Sequence, residues 1–218
     1  LTGISENGLN LVLLIILTSG LTMVYSSRVK KALNWWTLQT VFVSLLLIAE
    51  GIHNHELEVI IFGVLLLIAK AGIIPILLRR VLKESKTEWV GEIFLKRTST
   101  LVVAGALTLI AYEVTKPLMA LSQPGFRNGL AIGLALIFHG LLLMMTRKVA
   151  IVQVLGILLI DNGIFLAGFF LTQGMPLLVE FGAAFDILVG IVIVGILSKQ
   201  MLENYNSLNV DHMRSLKG

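Results

Sequence analysis

Cysteine is absent from the 218 residues, which removes disulfides, thiolate-bound metals and cysteine-ligated clusters. Any redox centre this protein serves is expected on another chain. Charge is scarce too: Asp, Glu, Lys and Arg make up 14% of the residues, too little polar surface for a water-soluble domain. The sequence also lacks a phosphate-binding glycine loop, a nucleophile set beside its base and a helical zinc motif, so an independent enzyme is not expected. What remains is apolar, with 56% hydrophobic residues and a mean hydropathy of +0.92.

That apolar content falls into seven stretches: about Gly8–Tyr25, Trp35–Ile52, Leu57–Leu82, Thr98–Thr115, Asn128–Met145, Val149–Thr172 and Leu177–Ser198. Each is close to the twenty or so residues that cross the hydrocarbon core as a helix. Barrel strands are half as long and alternate polar with apolar, so helices are the spanning solution that satisfies every backbone group. The expected fold is an all-α polytopic membrane protein of about seven transmembrane helices. Residues 1–127 would form a four-helix region with an amphipathic connection, and residues 128–218 a three-helix region with a polar tail. The first stretch is expected to remain as a helix, since no basic segment precedes it and no small-residue cleavage site follows.

Basic residues indicate the orientation, because Lys and Arg concentrate in cytoplasmic loops. Arg28, Lys30 and Lys31 follow the first stretch, Arg79, Arg80, Lys83, Lys86, Lys96 and Arg97 the third, and Arg147 and Lys148 the fifth. With Lys199, Arg214 and Lys217 in the tail, 14 of the 17 basic residues fall on one side. The expected topology has the N-terminus outside and the C-terminus in the cytoplasm, in a cytoplasmic (inner) membrane. The net charge of +4 then reflects topology, and no nucleic-acid partner is expected. Between Val81 and Arg97, charges mix with Trp89, Val90, Ile93, Phe94 and Leu95, the pattern of a helix lying in the interface or packed on a partner subunit.

An ionisable side chain at mid-membrane depth costs roughly 2.5–3.5 kcal/mol on insertion scales and marks a functional position by default. Four lie deep: Lys70, His139, Asp161 and Asp186. Glu50, Glu113 and Glu180 lie nearer the outer ends. Asp186 is flanked at four-residue steps by Gly182 and Gly190, so a neighbouring helix can approach its face closely. A buried carboxylate near a cation can be poised to take up and release a proton, and a purely packing role competes with that reading. Asp161 is followed by Asn162 and Gly163, which points to a hydrated pocket or a local helix distortion. Lys70 opens the run to Pro75, which denies the Ala71 carbonyl its helical partner; the result is a charge-handling break, or a kink with Lys70 paired to an acid from another helix. His139 reads as a relay or as a hydrogen-bonded packing residue. His53-Asn54-His55-Glu56 reads as a solvated turn rather than a metal site.

Several of these residues sit in a recognisable frame. Thr146-Arg147-Lys148, Ile160-Asp161-Asn162-Gly163, Phe181-Gly-Ala-Ala-Phe-Asp186 and the polar tail from Ser207 to Gly218 make the chain from about Leu130 onward resemble the three-helix K-type subunit of respiratory complex I. That subunit is related to one of the multi-subunit cation/proton antiporters. With the preceding helices, the whole chain resembles hydrogenase-4 component E, a membrane subunit of formate hydrogenlyase and other group 4 nickel-iron hydrogenases. The step from Lys70 to Pro75 is similar to the broken helices of antiporter-like subunits.

The resemblance implies a non-catalytic subunit of a hydrogenase-like or complex I-like redox complex, with buried carboxylates on a proton or sodium pathway coupled to electron transfer. Asp186 falls where the family's third helix keeps a glutamate; the glutamate of the second helix would fall near Leu158, one turn before Asp161. Asp161 and Asp186 would be the carriers, Lys70 and His139 further members, and Glu50 and Glu113 outer access points. No cofactor is expected in this chain, the iron-sulfur clusters and nickel-iron centre belonging to partner subunits. The partners would be larger antiporter-like subunits, the membrane anchor of the hydrogenase arm and the lipid bilayer. A structural scaffold and a stand-alone secondary transporter are the alternatives, the latter disfavoured by the lack of an internal repeat.

Overall fold

The computed structural model describes residues 6–84, 96–119, 124–147, 149–171 and 190. These form helices α1 (Glu6–Tyr25), α2 (Val29–Asn54), α3 (Leu57–Leu66), a π-helical segment (Leu67–Ile73), α4 (Ile74–Glu84), α5 (Arg97–Met119), α6 (Pro124–Thr146) and α7 (Ala150–Leu171). Among the described residues, six helical stretches are long and apolar enough to cross a membrane, with α3, the π-helical segment and α4 acting as one of them. This is the architecture of a multi-pass membrane protein. The seventh expected span, with Glu180 and Asp186, lies outside the described residues, as do the tail and residues 85–95 of the charged connection.

Six of the apolar stretches coincide with helices, and all but α7 reach further than hydrophobicity alone indicates. Helix α2 begins at Val29, so Lys30 and Lys31, expected in a connection, stand in its first turn. At its other end His55 takes the left-handed conformation, and the backbone N–H groups of His55 and Glu56 donate to Ile52 and Gly51. That pattern satisfies the last carbonyls of the helix and turns the chain into α3.

The break expected at Pro75 is a local widening of the helix. Ile74 N–H donates to the Ala69 carbonyl, five residues back. The next bond of that kind would need an N–H at residue 75, which proline lacks, so the π-helical pattern ends and α4 resumes with normal geometry. Lys70 sits in the middle of the widened turn.

Helices α1 and α7 each pack against both α2 and α6, while α3 and α4 flank α2 on one side and α5 flanks α6 on the other. Among the described residues, the larger of two buried apolar clusters runs through α1, α2, α3, α4, α6 and α7, so helices on either side of residue 127 share it. Lipid tails give helices no hydrophobic reason to associate; close van der Waals contact through small residues supplies the attraction instead. The α6–α7 pair meets this condition with Gly133 and Gly140 on one helix and Gly156 and Gly163 on the other. A Cβ on Gly140 would lie 2.7 Å from the Gly156 carbonyl oxygen, and one on Gly163 would lie 2.7 Å from that of Gly133. The outer faces carry exposed apolar side chains such as Leu14, Val102, Leu109 and Met145, as a lipid-facing surface requires.

Candidate functional site

Three consecutive residues of α7 organise the interior. Helix positions advance by about 100° per residue, so Asp161, Asn162 and Gly163 face three different neighbours. Gly163 lies against the backbone of α6. Asn162 turns to α2, donating from Nδ2 to Gln39 Oε1 at 3.2 Å and to Thr40 Oγ1 at 2.9 Å. Asp161 turns to the π-helical segment, where its Oδ2 lies 2.5 Å from Lys70 Nζ. Helix α7 is unbroken through this polar triplet, so the distortion expected there belongs to its partner, at Lys70.

The side chains of Lys70 and Asp161 are 5% and 1% exposed. At that burial the ion pair offsets part of the cost of removing two charges from water. Asp161 Oδ1 is buried with no hydrogen-bond partner. The carboxylate is thus held from one side only, and a carboxylate with a vacant acceptor oxygen can receive a proton or a water hydrogen there. Of the two accounts of Lys70 open in the sequence, pairing with an acid from another helix is realised.

The polar contacts continue through α2. Gln39 Nε2 donates to the Ile16 carbonyl of α1 at 3.1 Å, and Trp36 Nε1 donates to the Leu158 carbonyl of α7 at 3.1 Å. Leu158 is buried, so a hydrocarbon side chain occupies the place where the resemblance puts a glutamate. Ser44, one turn beyond Thr40, keeps a buried hydroxyl without a partner. Gln39, Thr40 and Trp36 were not among the residues singled out from the sequence. The signal available for them was an amide and two hydroxyls within one apolar helix, at a spacing that puts Trp36, Thr40 and Ser44 on one face.

His139 is completely buried on α6, with Nε2 3.0 Å from Thr108 Oγ1 and 3.1 Å from the Ala104 carbonyl oxygen of α5. Glu50 is buried near the end of α2 and accepts from Asn54 Nδ2 at 3.1 Å. Glu113 lies on the exposed face of α5, 2.5 Å from Lys116, and takes no part in the interior network. Arg147, expected in a solvated connection, is instead buried: its Nη2 donates to the Val24 carbonyl at 3.3 Å, while Nε and Nη1 have no partner. Burial, and to a lesser extent the charge of Arg97, lower its pKa from the usual guanidinium value. Among the described residues no three His, Asp or Glu side chains gather as a metal site would need.

No family model matches the chain, and no solved structure gives a significant match. Hydrogenase-4 component E of Escherichia coli K12 is 26% identical over 117 residues, and the Shigella flexneri protein of that name matches equally. These alignments cover 54% of either chain, so the match spans about half the length of those relatives. The Mycobacterium tuberculosis protein named Uncharacterized protein Rv0085 is 31% identical over 170 residues, 77% of each chain. With that extent of identity, the chain belongs to the family of Rv0085, and it bears a more distant likeness to hydrogenase-4 component E.

Proposed function

We propose that this protein is a non-catalytic membrane-arm subunit of a hydrogenase-like or complex I-like redox complex, and that its buried charges serve proton or sodium translocation coupled to electron transfer. The likeness to hydrogenase-4 component E supports membership of such an assembly. Larger antiporter-like subunits and a hydrogenase membrane anchor are its partners in this reading, in the cytoplasmic membrane. The iron-sulfur clusters and nickel-iron centre belong to other chains.

The observation that supports translocation is the Lys70–Asp161 pair, 2.5 Å apart and nearly inaccessible. A buried ion pair is a poor way to gain stability, since well-packed apolar residues of similar volume often do as well or better. Its use lies in what a proton does to it. A proton arriving at Asp161 would cancel the negative charge that faces the Lys70 ammonium, so the pair can register a passing charge in a way that apolar residues cannot. The π-helical turn under Lys70 is of a kind found frequently at functional sites. Asp186, outside the described residues, is the second carboxylate of this reading, with His139 as a further member and Glu50 and Glu113 as outer access points.

The test is ion uptake by the whole purified complex in sealed vesicles, comparing the parent with Asp161→Asn and Asp186→Asn while following assembly and electron transfer. Uptake should collapse in either variant while the complex remains assembled and electron transfer persists. Unchanged uptake and turnover in both would replace the relay with a structural scaffold.

A further inference from the structure

Around Gly20 of α1, a buried acceptor on α6 and a buried donor on α2 approach the same point. On α6, His139 Nε2 lies 3.1 Å from the Ala104 carbonyl oxygen. A carbonyl can only accept, so Nε2 carries the ring hydrogen and Nδ1 is the acceptor. Nδ1 is buried and has no partner. On α2, the Ile16 carbonyl fixes which end of the Gln39 amide is nitrogen and takes one of its two hydrogens, while Oε1 accepts from Asn162. The second Nε2 hydrogen remains.

Both nitrogens face Gly20 of α1. A Cβ built on Gly20 would stand 3.5 Å from Gln39 Nε2 and 3.5 Å from His139 Nδ1, so the two lie at most twice that distance, 7.0 Å, apart. Two hydrogen bonds of about 2.8–3.0 Å meeting at one water at a roughly tetrahedral angle join atoms about 4.5–5 Å apart, a separation within that upper bound. The water would accept from Gln39 and donate to His139, which matches the hydrogens each side offers. In the structure a hydrocarbon group is there: Leu136 Cδ2 comes within 2.7 Å of the same Cβ position. Leu136 precedes His139 by three residues, on the same face of α6, and is completely buried.

We propose that Leu136, seated in the notch left by Gly20, is a dry gate between the Asn162–Gln39 hydrogen-bond chain and His139, and that its displacement admits a bridging water. With the water in place, hydrogen bonds run without a gap from α7 through α2 to α6 and on to Thr108 of α5. With Leu136 in place, they end on the Ile16 carbonyl of α1 and do not reach His139. The gate's use in moving protons rests on the function proposed above; the hydration change does not.

The test is solid-state nitrogen NMR of the full complex in its native lipids with ¹⁵N-labelled histidine, the His139 signals being identified by their loss in His139→Asn. In the parent, Nδ1 should resonate as an imine nitrogen without a hydrogen bond and show no transfer from water. In Leu136→Ala, Nδ1 should shift upfield and gain a water cross-peak; Leu136→Val serves the same comparison if the alanine variant fails to assemble. Adding Gly20→Ala to the opened variant puts a methyl between the two nitrogens and should abolish the cross-peak. A water cross-peak already present in the parent, or none in the assembled opened variant, overturns the gate. Neither result depends on ion transport, so uptake that ignores Asp161→Asn sinks the translocation reading and leaves the hydration result standing.

Discussion

Asp161 of α7 and Lys70 of the π-helical turn hold each other at 2.5 Å inside the bundle. Asp161→Ala removes the carboxylate beside a buried ammonium and should cost about 3–5 kcal/mol of stability. The double variant Lys70→Met/Asp161→Leu removes both charges and should recover most of that loss. Denaturant titration of the purified chain in detergent compares them. A single variant no less stable than the double would show that the two charges are not coupled.

How far the sequence reached is clearest at these residues. Lys70, Asp161 and His139 stood out because a charge or imidazole in twenty apolar residues is a signal in one dimension. Their partners did not. Which helix supplies the acid for Lys70 depends on how α2, α3 and α7 pack, and nothing in a single apolar stretch encodes that. Gln39 and Gly20 were passed over because an amide and a glycine carry little signal until the structure sets His139 beside them. The same limit explains Arg147: a basic residue between two spans reads as solvated, and its burial depends on the end of α1 folding over it. The helices themselves were legible because hydrocarbon leaves the backbone no other spanning solution. Their ends were less so, since capping and the π-helical turn are set by individual bonds.

The contact between Asn162 and Gln39 should be energetically coupled. Asn162→Leu leaves Gln39 Oε1 and Thr40 with a lost donor in a buried setting, and a buried unsatisfied group costs about 1–3 kcal/mol. Gln39→Leu has a similar effect from the other side. Combining them should cost less than their sum, with an interaction energy within about 0.5–3 kcal/mol. Strict additivity in a double-mutant cycle would show that the amides act independently.

At the end of α2, His55 holds a left-handed conformation, with φ of 58°. A side chain there crowds the backbone, at a cost of about 1–2 kcal/mol for an L-residue, which glycine does not bear. His55→Gly should therefore raise stability by about 1 kcal/mol, while His55→Ala, which keeps the Cβ, should bring no comparable gain. Thermal unfolding of the three chains side by side decides it. Equal gains from alanine and glycine would point to the imidazole itself, not the backbone, as the source of strain.

The glycines of α6 and α7 make the sharpest contrast available. A Cβ on Gly140 would meet the Gly156 carbonyl oxygen at 2.7 Å and the Ile160 backbone nitrogen at 3.0 Å, whereas one on Gly105 of α5 would meet nothing within 4 Å. Backbone atoms cannot swing aside as a side-chain tip can, so Gly140→Ala must push the two helices apart, at the roughly 1–3 kcal/mol typical of overpacking. Gly105→Ala should instead be neutral or stabilising by up to about 1 kcal/mol, since alanine is the better helix former. The consequence reaches the site, because α7 carries Asp161 and Asn162 and its distance from α6 sets where both point. Unfolding midpoints should therefore fall for Gly140→Ala alone, and its Lys70–Asp161 coupling should weaken with them. Were Gly140→Ala as harmless as Gly105→Ala, α6 and α7 could not lie at backbone contact. The facing of Asp161 toward Lys70 would then need another explanation.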